Sequence, residues 1–184
     1  MPNKPIITST RTLAETRLFR VEELNLRFSS GVEVTYERVL GSPYGAVMVV
    51  PLLDDNTVLL IREYAAGTER YELTLPKGRI EKDENPIDAA NREIMEEVGY
   101  GARRLTRLKS LTEAPGYLRH ETHLVVAEDL YAQKHEGDEP EEIEVVPWRL
   151  DDLDNLWSHT ECTEARTIAA LFLVRYDYHR KEAM

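Results

Sequence analysis

The segment from residue 85 to residue 99 constrains the fold most, because it predicts one well-defined helix between runs that favour β-strands. Asn85 is a residue type that caps helix N-termini, and Pro86 suits the first helical position. Gly99 suits the left-handed conformation in which many helices end. Apolar residues recur between these ends at the spacing of one helix face: Ile87, Ala90, Ile94 and Val98. The sequence therefore predicts an amphipathic helix with one side in a core.

Most of the remaining chain consists of predicted strands. Residues 17–39 alternate in strand fashion around Ser29-Ser30-Gly31, which predicts an antiparallel hairpin. Other predicted elements are strands at 46–53, 58–61, 72–75, 105–111, 123–127 and 143–148, a loop at 135–142 and a final helix at 164–178. Mixed strands with one helix in the middle and one at the end predict an α+β fold or an α/β/α sandwich. We expect an N-terminal strand or hairpin region over 1–44 and the main domain over 45–184.

Composition and charge narrow the class of protein. The 184 residues are 42% hydrophobic and 31% charged, which allows a core and argues against wholesale disorder. The formal net charge of −11 disfavours nucleic acid and anionic membranes as partners. A single cysteine, Cys162, excludes an intramolecular disulfide, and no apolar run approaches the length of a membrane span. The N-terminus lacks the layout of a signal peptide, so we expect a cytoplasmic protein.

Three glutamates share one face of the predicted helix. Glu93, Glu96 and Glu97 are separated by three and four residues, the spacing that places side chains next to each other. Like charges so placed repel by about a few tenths of a kcal/mol per pair, and a cation between them would remove that cost. Hard cations such as Mg²⁺ prefer carboxylate oxygens and keep waters for a phosphate substrate. These three residues alone leave open a solvated acidic face with no function.

The wider spacing resembles the signature of the Nudix hydrolases. The matching residues are Gly78, Glu84, Arg92, Glu93, Glu96, Glu97 and Gly99. Five residues separate Gly78 from Glu84, and seven separate Glu84 from Arg92, as in that family. Only Tyr100 departs, at a position where the family usually has an aliphatic residue. The resemblance implies a Nudix α/β/α sandwich with a mixed sheet, to which the N-terminal antiparallel hairpin is an extension.

The same resemblance implies roles for the motif residues. The implied metal ligands are the main-chain carbonyl of Lys77 and the carboxylates of Glu93, Glu96 and Glu97. The implied cofactor is Mg²⁺ or Mn²⁺, bound as two or three ions. Arg92 and Glu84 would pair across the loop and orient Glu93, since outer residues hold metal ligands still. Gly78 would let the backbone turn tightly before the helix.

Segments outside the motif resemble the ADP-ribose pyrophosphatase branch of the family. Residues 60–64 and 114–117 carry this likeness, and Pro115 follows Gly99 by sixteen residues, as in that branch. The likeness implies hydrolysis of the diphosphate bond in ADP-ribose, NADH or diadenosine triphosphate, with release of AMP. The implied substrate-binding residues are Arg62, Tyr64, Pro115, Tyr117 and Arg119.

Three positions depart from the better-known ADP-ribose enzymes. Lys77 stands where they usually have alanine, Ala65 where they usually have arginine, and Glu121 one position later than their glutamate. These departures fit a branch that acts on ADP compounds better than one specialised for ADP-ribose. The alternatives are a Nudix pyrophosphatase for nucleotide sugars and a non-catalytic domain that senses a nucleotide. The intact glutamates argue against the second.

The branch also implies a homodimer and a general base. Its dimers exchange N-terminal strands, so residues 1–44 are expected to dimerise. A carboxylate must accept the proton of the attacking water, and in this branch it comes from an acidic loop after the motif. Glu139 and Glu142 are the candidates on the loop over 138–142, and Glu96 or Glu97 is the alternative. Arg92 completes the predicted catalytic set, and a small nucleotide is the expected partner.

Overall fold

The computed structural model describes the backbone of residues 3–182 and the side chains of residues 3–176. The chain forms two compact units, and the first of them takes in a short segment from the middle of the chain. Unit 1 consists of Met1–Gly45 and Thr112–Glu121, and unit 2 of Ala46–Leu111 and Thr122–Met184.

Unit 1 contains one sheet of four strands. These are β1 (Ile6–Glu15), β2 (Arg20–Arg27), β3 (Glu33–Leu40) and the short β9 (Leu118–Arg119). They lie in the order β1-β2-β3-β9, with antiparallel pairing among the first three and parallel pairing of β9 to β3. The predicted hairpin is confirmed as β2–β3. Strand β1 was not predicted, because all ten of its residues are exposed and no buried face leaves an alternating pattern.

Unit 2 is built on a mixed sheet. Its strands are β4 (Ala46–Asp54), β5 (Thr57–Ala65), β6 (Arg70–Thr74), β7 (Lys77–Arg79), β8 (Tyr100–Leu111), β10 (Thr122–Ala132) and β11 (Glu144–Arg149). The main order is β11-β5-β4-β10-β8, with β6 beside β5 and β7 beside β4. Strands β4 and β10 run parallel, and the other pairs are antiparallel. The predicted strands are present, although β8 begins directly after Gly99 and β10 extends further than expected.

Helices cover both faces of this sheet. They are α1 (Pro86–Glu97), α2 (Leu153–Trp157), which follows a 3-10 turn at Leu150–Asp152, and α3 (Ala165–Glu182). Alternate residues of β4 enter different cores, since side chains along a strand point to opposite faces. Val47 and Val49 pack with Ile94 of α1, whereas Met48 packs with Leu171 of α3. The predicted α/β/α sandwich and final helix are confirmed, and the short α2 is an addition.

The predicted loop after β10 has no regular structure between residues 133 and 143. None of the helices in the described part of the chain has the length and apolar character needed to cross a membrane.

Candidate active site

Helix α1 presents the motif glutamates from a firmly capped position. The side-chain oxygen of Asn85 accepts hydrogen bonds from the backbone N–H groups of Ile87 (2.9 Å) and Asp88 (3.0 Å). These bonds satisfy N–H groups that have no partner inside the helix. Gly99 follows the helix with a φ of 75°, as its residue type predicted. Both ends of the helix are therefore fixed by local sequence.

Burial distinguishes the three glutamates. Glu93 and Glu97 are only 7% and 8% exposed, whereas Glu96 is partly exposed. Two carboxylates buried next to a hydrophobic core have lost most of the hydration that stabilises their charge. Hydrogen-bond donors must replace that hydration. Arg92 donates to Glu93, and the backbone N–H of Lys77 donates to Glu97.

Arg92 is the first of these partners. Its guanidinium forms a fork with Glu84, with Nε and Nη2 donating at 2.9 and 3.0 Å to the two carboxylate oxygens. Nη1 donates to Glu93 at 2.8 Å and to Glu96 at 3.1 Å, and Nη2 also donates to the carbonyl of Arg79 at 3.0 Å. The ion pair predicted between Arg92 and Glu84 is present. These bonds raise the pKa of Arg92 further above its ordinary value.

Gly78 brings the beginning of the motif into contact with the helix. A Cβ atom at this position would lie 1.9 Å from Oε1 of Glu93. Gly78 lies within β7 and pairs with Val47 of β4, so the expected tight turn at this glycine is wrong. The glycine is required because the Glu93 carboxylate occupies the space of a side chain.

Lys77 is the second partner, and it contributes both its backbone and its side chain. Its backbone N–H donates to Oε2 of Glu97 at 2.9 Å. Its ammonium group donates to Glu63 at 2.5 Å and to the hydroxyl of Thr74 at 3.2 Å. Glu63 was not predicted as a site residue. The sequence carries no signal for it, because the contact depends on β5 and β7 both pairing with β4, β7 at its beginning and β5 at its end.

The electrostatics of the glutamate pair favour a cation. Burial is the largest cause that raises the pKa of Glu93 to about 7 and that of Glu97 to about 8. Arg92 opposes the shift at Glu93, and Lys77 opposes it at Glu97. Carboxylates in this condition gain from a nearby divalent cation, because the ion replaces the hydration they have lost. The donor chemistry of the pair therefore fits a hard divalent metal.

The side chains are not arranged as a closed metal cage. Among the residues that the structure describes, no three carboxylate, imidazole or thiol groups converge on one point that could hold a metal ion. Glu93 and Glu96 accept hydrogen bonds from Arg92, while Glu97 accepts one from the backbone of Lys77. A cation at this face would compete with these donors for the carboxylate oxygens.

An open cavity of about 420 Å³ lies between the acidic loop and the helix. It is lined by Glu93, Glu96 and Glu97 on the helix side and by residues 134–143 on the loop side. The loop is tied to the end of α1 by two backbone bonds. Gln133 N–H donates to the Gly99 carbonyl at 3.0 Å, and His135 N–H donates to the Met95 carbonyl at 2.9 Å.

The two candidate bases on the loop differ in their surroundings. The side chain of Glu142 is 84% exposed and forms an ion pair with Lys134 at 3.1 Å. Glu139 is also exposed, but desolvation, followed by the carboxylates of Glu63 and Asp138, raises its pKa. Lys77 acts in the opposite direction on Glu139. The charges of Lys77 and Glu63 therefore act on the Glu139 carboxylate, whereas the Glu142 carboxylate pairs with Lys134 at the surface.

Arg62 and Tyr64 lie on β5, which is between β11 and β4 in the sheet of unit 2. Arg62 forms ion pairs with Glu144 and, at 3.0 Å, with Glu161, so its guanidinium is already engaged by two carboxylates. Tyr64 is half exposed, and its ring meets the edge of the Tyr71 ring at a centroid distance of 5.6 Å.

The other predicted substrate-binding residues belong to unit 1. Pro115 lies in a turn in which Tyr117 N–H donates to the carbonyl of Ala114 at 3.0 Å. The carbonyl of Tyr117 accepts a bond of 2.7 Å from Val39, and its side chain is 63% exposed. Arg119 is exposed and lies in β9, the strand that pairs with β3.

Comparisons with known proteins identify relatives along nearly the whole chain. The NUDIX domain family matches residues 43–172, and the NudE-type Nudix hydrolase N-terminal domain matches residues 5–38. The chain is 49% identical to the ADP compounds hydrolase NudE of Escherichia coli (strain K12), over 94% of this chain and 92% of that protein. It is 30% identical to the ADP-ribose pyrophosphatase of Bacillus subtilis (strain 168), over 88% and 90%. A crystal structure of an ADP compounds hydrolase matches with a TM-score of 0.91 at 47% identity, covering 98% of this chain and 97% of that one.

Proposed function

Because the chain belongs to the Nudix hydrolase family, we propose that it hydrolyses the diphosphate bond of ADP-linked compounds and releases AMP. ADP-ribose, NADH and diadenosine triphosphate are the proposed substrates. The observation that carries the proposal is the buried Glu93–Glu97 pair, which lines the same cavity as the acidic loop. The ADP compounds hydrolase and ADP-ribose pyrophosphatase relatives support the choice of substrate.

Nudix hydrolases generally need divalent metal ions, and we propose Mg²⁺ or Mn²⁺ here, as two or three ions. The residues proposed to hold them are Glu93, Glu96, Glu97 and, through its carbonyl, Lys77. When bound, the metal would neutralise negative charge on the diphosphate and lower the pKa of a bound water. The raised proton affinity of the buried carboxylates supports these assignments.

Arg92 is proposed to position the ligands, not to contact the substrate. The guanidinium is held by a two-point bond to Glu84 and a bond to the Arg79 carbonyl, and from that fixed position it reaches Glu93. A planar guanidinium group held on one side restricts the orientation of the Glu93 carboxylate that it bonds on the other. Arg92 would therefore set the direction in which the oxygens of Glu93 face the cavity.

Glu139 is the proposed general base, and Glu142 is the weaker candidate. A base works best when its pKa lies closer to the working pH, and the surroundings of Glu139 shift its pKa in that direction. Glu139 also interacts with Lys77 and Glu63 beside the metal-binding face, whereas Glu142 is paired with Lys134 at the surface. Glu96 or Glu97 remains the alternative base.

The proposed substrate contacts are Tyr64, Pro115, Tyr117 and Arg119, with the tyrosines offering exposed rings for adenine. Arg62 would bind phosphate only by giving up one of its two carboxylate partners. Residues 1–44 are proposed to form a homodimer contact. Strand β1 supports this, because it exposes apolar side chains at the edge of its sheet.

The test is a product assay with purified protein, Mg²⁺ or Mn²⁺, and a panel of ADP-ribose, NADH, diadenosine triphosphate and nucleotide sugars. We expect AMP from at least one of the first three and none when a chelator removes the metal. Turnover restricted to nucleotide sugars without an ADP group would overturn the substrate assignment. Nucleotide binding without turnover of any compound would favour the non-catalytic alternative.

A further inference from the structure

A tyrosine outside the motif holds the acidic loop against the sheet. The hydroxyl of Tyr71 on β6 donates a hydrogen bond of 2.8 Å to Oε1 of Glu141, which lies 70 residues further along the chain. We propose that Tyr71 is a positioning residue that keeps Glu139 at the active site by anchoring Glu141. This inference rests on the proposed function, in which Glu139 is the general base.

The loop has few other attachments between its two ends. Backbone bonds of Gln133 and His135 hold its beginning, and β11 begins at Glu144. Among the described residues, the side-chain bonds made by positions 136–143 are those of Glu141 to Tyr71 and of Glu142 to Lys134. The second joins the loop to its own first residues. The Tyr71 bond therefore links the later part of the loop, three residues before β11, to a neighbouring strand of the sheet.

The ring of Tyr71 is well placed to act as a fixed point. Tyr71 pairs across the strands with Tyr64 of β5, and the two rings meet edge to face at an interplanar angle of 70°. The next residue, Glu72, is buried and accepts bonds from Thr163 at 2.9 and 3.1 Å. The strand and its neighbours thus hold the backbone and the ring, so the hydroxyl has little freedom to move.

Glu139 is two residues from the anchored Glu141. Two residues of chain span at most about 7 Å, so a fixed Glu141 limits how far Glu139 can move from the cavity. A general base must come within hydrogen-bonding reach of the water that it deprotonates. Loss of the anchor would lower the fraction of time that the loop holds Glu139 within this reach. It would leave the motif glutamates on α1 unchanged.

The exposure of Tyr71 indicates that losing its hydroxyl would affect kcat and not global stability. Tyr71 is 42% exposed, and a solvent-accessible hydrogen bond contributes little to global stability. Tyr71→Phe removes the hydroxyl and keeps the ring contact with Tyr64. We therefore expect a fall in kcat with an unchanged melting temperature and an unchanged metal requirement.

The experiment compares five variants of the chain with the wild type. Tyr71→Phe and Glu141→Ala should each lower kcat for the best substrate by about three- to tenfold, part of the effect of one charged hydrogen bond. Glu141→Gln keeps an oxygen that accepts the bond, so kcat should stay within about twofold. Tyr44→Phe is the matched control, an exposed tyrosine in unit 1 that should behave as wild type. The double variant Tyr71→Phe/Glu141→Ala should be no worse than either single change, because both remove the same contact.

Hydrogen exchange of residues 136–142 provides a second measurement that does not depend on substrate. Tyr71→Phe and Glu141→Ala should increase exchange there, and Glu141→Gln should not. The proposal would be overturned if Tyr71→Phe had the same hydrogen exchange and kcat as the wild type. It would also be overturned if Tyr71→Phe lowered kcat and Glu141→Ala did not. If the wild type hydrolyses no ADP-linked compound, the proposed function fails, and the exchange comparison still decides whether Tyr71 holds the loop.

Discussion

Arg92 is the residue on which the carboxylates of the active site depend. It bonds Glu84, Glu93 and Glu96 at once and lies between the loop before α1 and the helix itself. Its side chain is 25% exposed, so these contacts are only partly screened by water. This arrangement requires a planar guanidinium group. Its Nε and Nη2 atoms donate to Glu84, while Nη1 donates to Glu93 and Glu96.

Arg92→Lys should therefore lower kcat/KM by about 10- to 100-fold and weaken metal binding, although the charge is kept. A lysine can donate to one carboxylate but cannot reproduce the two-point bond to Glu84. Steady-state kinetics and Mn²⁺ titration would measure both effects. Arg149→Lys is the matched control, since that arginine forms an exposed surface pair with Asp151. Wild-type kinetics and metal affinity in Arg92→Lys would contradict a positioning role.

The buried glutamates should also make stability depend on pH when a chelator is present. The folded-state pKa values of Glu93 and Glu97, about 7 and about 8, lie above the ordinary value of 4.5. Their contribution to stability is then fully present below about pH 4.5 and is lost as the pH rises through 7 and 8. With about 1.4 kcal/mol for each pKa unit, the free energy of unfolding should fall by an order of a few kcal/mol.

Urea unfolding between pH 5 and pH 8.5 measures this dependence. The fall should be smaller in Glu97→Gln, which has no proton to lose, and saturating Mg²⁺ should offset it in the wild type. Equal pH profiles for the wild type and Glu97→Gln in the presence of chelator would show that burial does not raise the pKa of Glu97.

At the scale of elements, the acidic loop carries two candidate bases, Glu139 and Glu142, that mutation can distinguish. Glu139→Gln should lower kcat by about 10²- to 10⁴-fold while metal affinity is kept, since general bases contribute on this scale. Glu142→Gln serves as the comparison on the same loop and should stay near wild type, because its carboxylate is exposed and paired with Lys134. The measurement is kcat at saturating substrate over several pH values. If both variants keep near-normal turnover, the base lies elsewhere and Glu96 becomes the leading candidate.

The elements that sequence predicts best are those fixed by local chemistry. Helix α1 begins at Pro86 as its cap residue predicts, and the left-handed Gly99 follows it. Buried strands such as β4 were found because both cores require apolar residues along them. Strand β1 was missed because pairing with β2, and not burial, stabilises it.

The site followed the same division. The glutamates and Arg92 could be predicted because they occupy one helix and the loop before it. Glu63 and Tyr71 could not, because their contacts join segments that are distant in sequence. The tight turn predicted at Gly78 was wrong for a similar reason. Only the folded protein shows that the Glu93 carboxylate lies against the backbone of Gly78.

At the scale of the whole molecule, unit 1 should mediate a homodimer. Its strand β1 exposes Ile6, Ile7 and Leu13 at 66%, 51% and 40%, and lies at the edge of its sheet. Apolar side chains on an open edge favour association with another chain. Light scattering should give the mass of a dimer for the wild type and of a monomer for Ile7→Glu/Leu13→Glu. Leu53→Glu in unit 2 is the control and should stay dimeric. A fully active wild-type monomer at assay concentration would remove the prediction.

The central claim is that the buried glutamate pair on α1 carries out metal-dependent hydrolysis of ADP-linked compounds. The most direct measurement is kcat/KM of Glu97→Gln, beside Asp154→Asn as an exposed control. The amide still accepts the Lys77 backbone bond, so circular dichroism should show an intact fold. Losing a metal ligand removes several kcal/mol of transition-state stabilisation, and each 1.4 kcal/mol corresponds to about tenfold in rate. We expect kcat/KM to fall by about two to three orders of magnitude in Glu97→Gln and to stay unchanged in Asp154→Asn. Turnover of Glu97→Gln within a few-fold of wild type, with the same metal requirement, would contradict the claim.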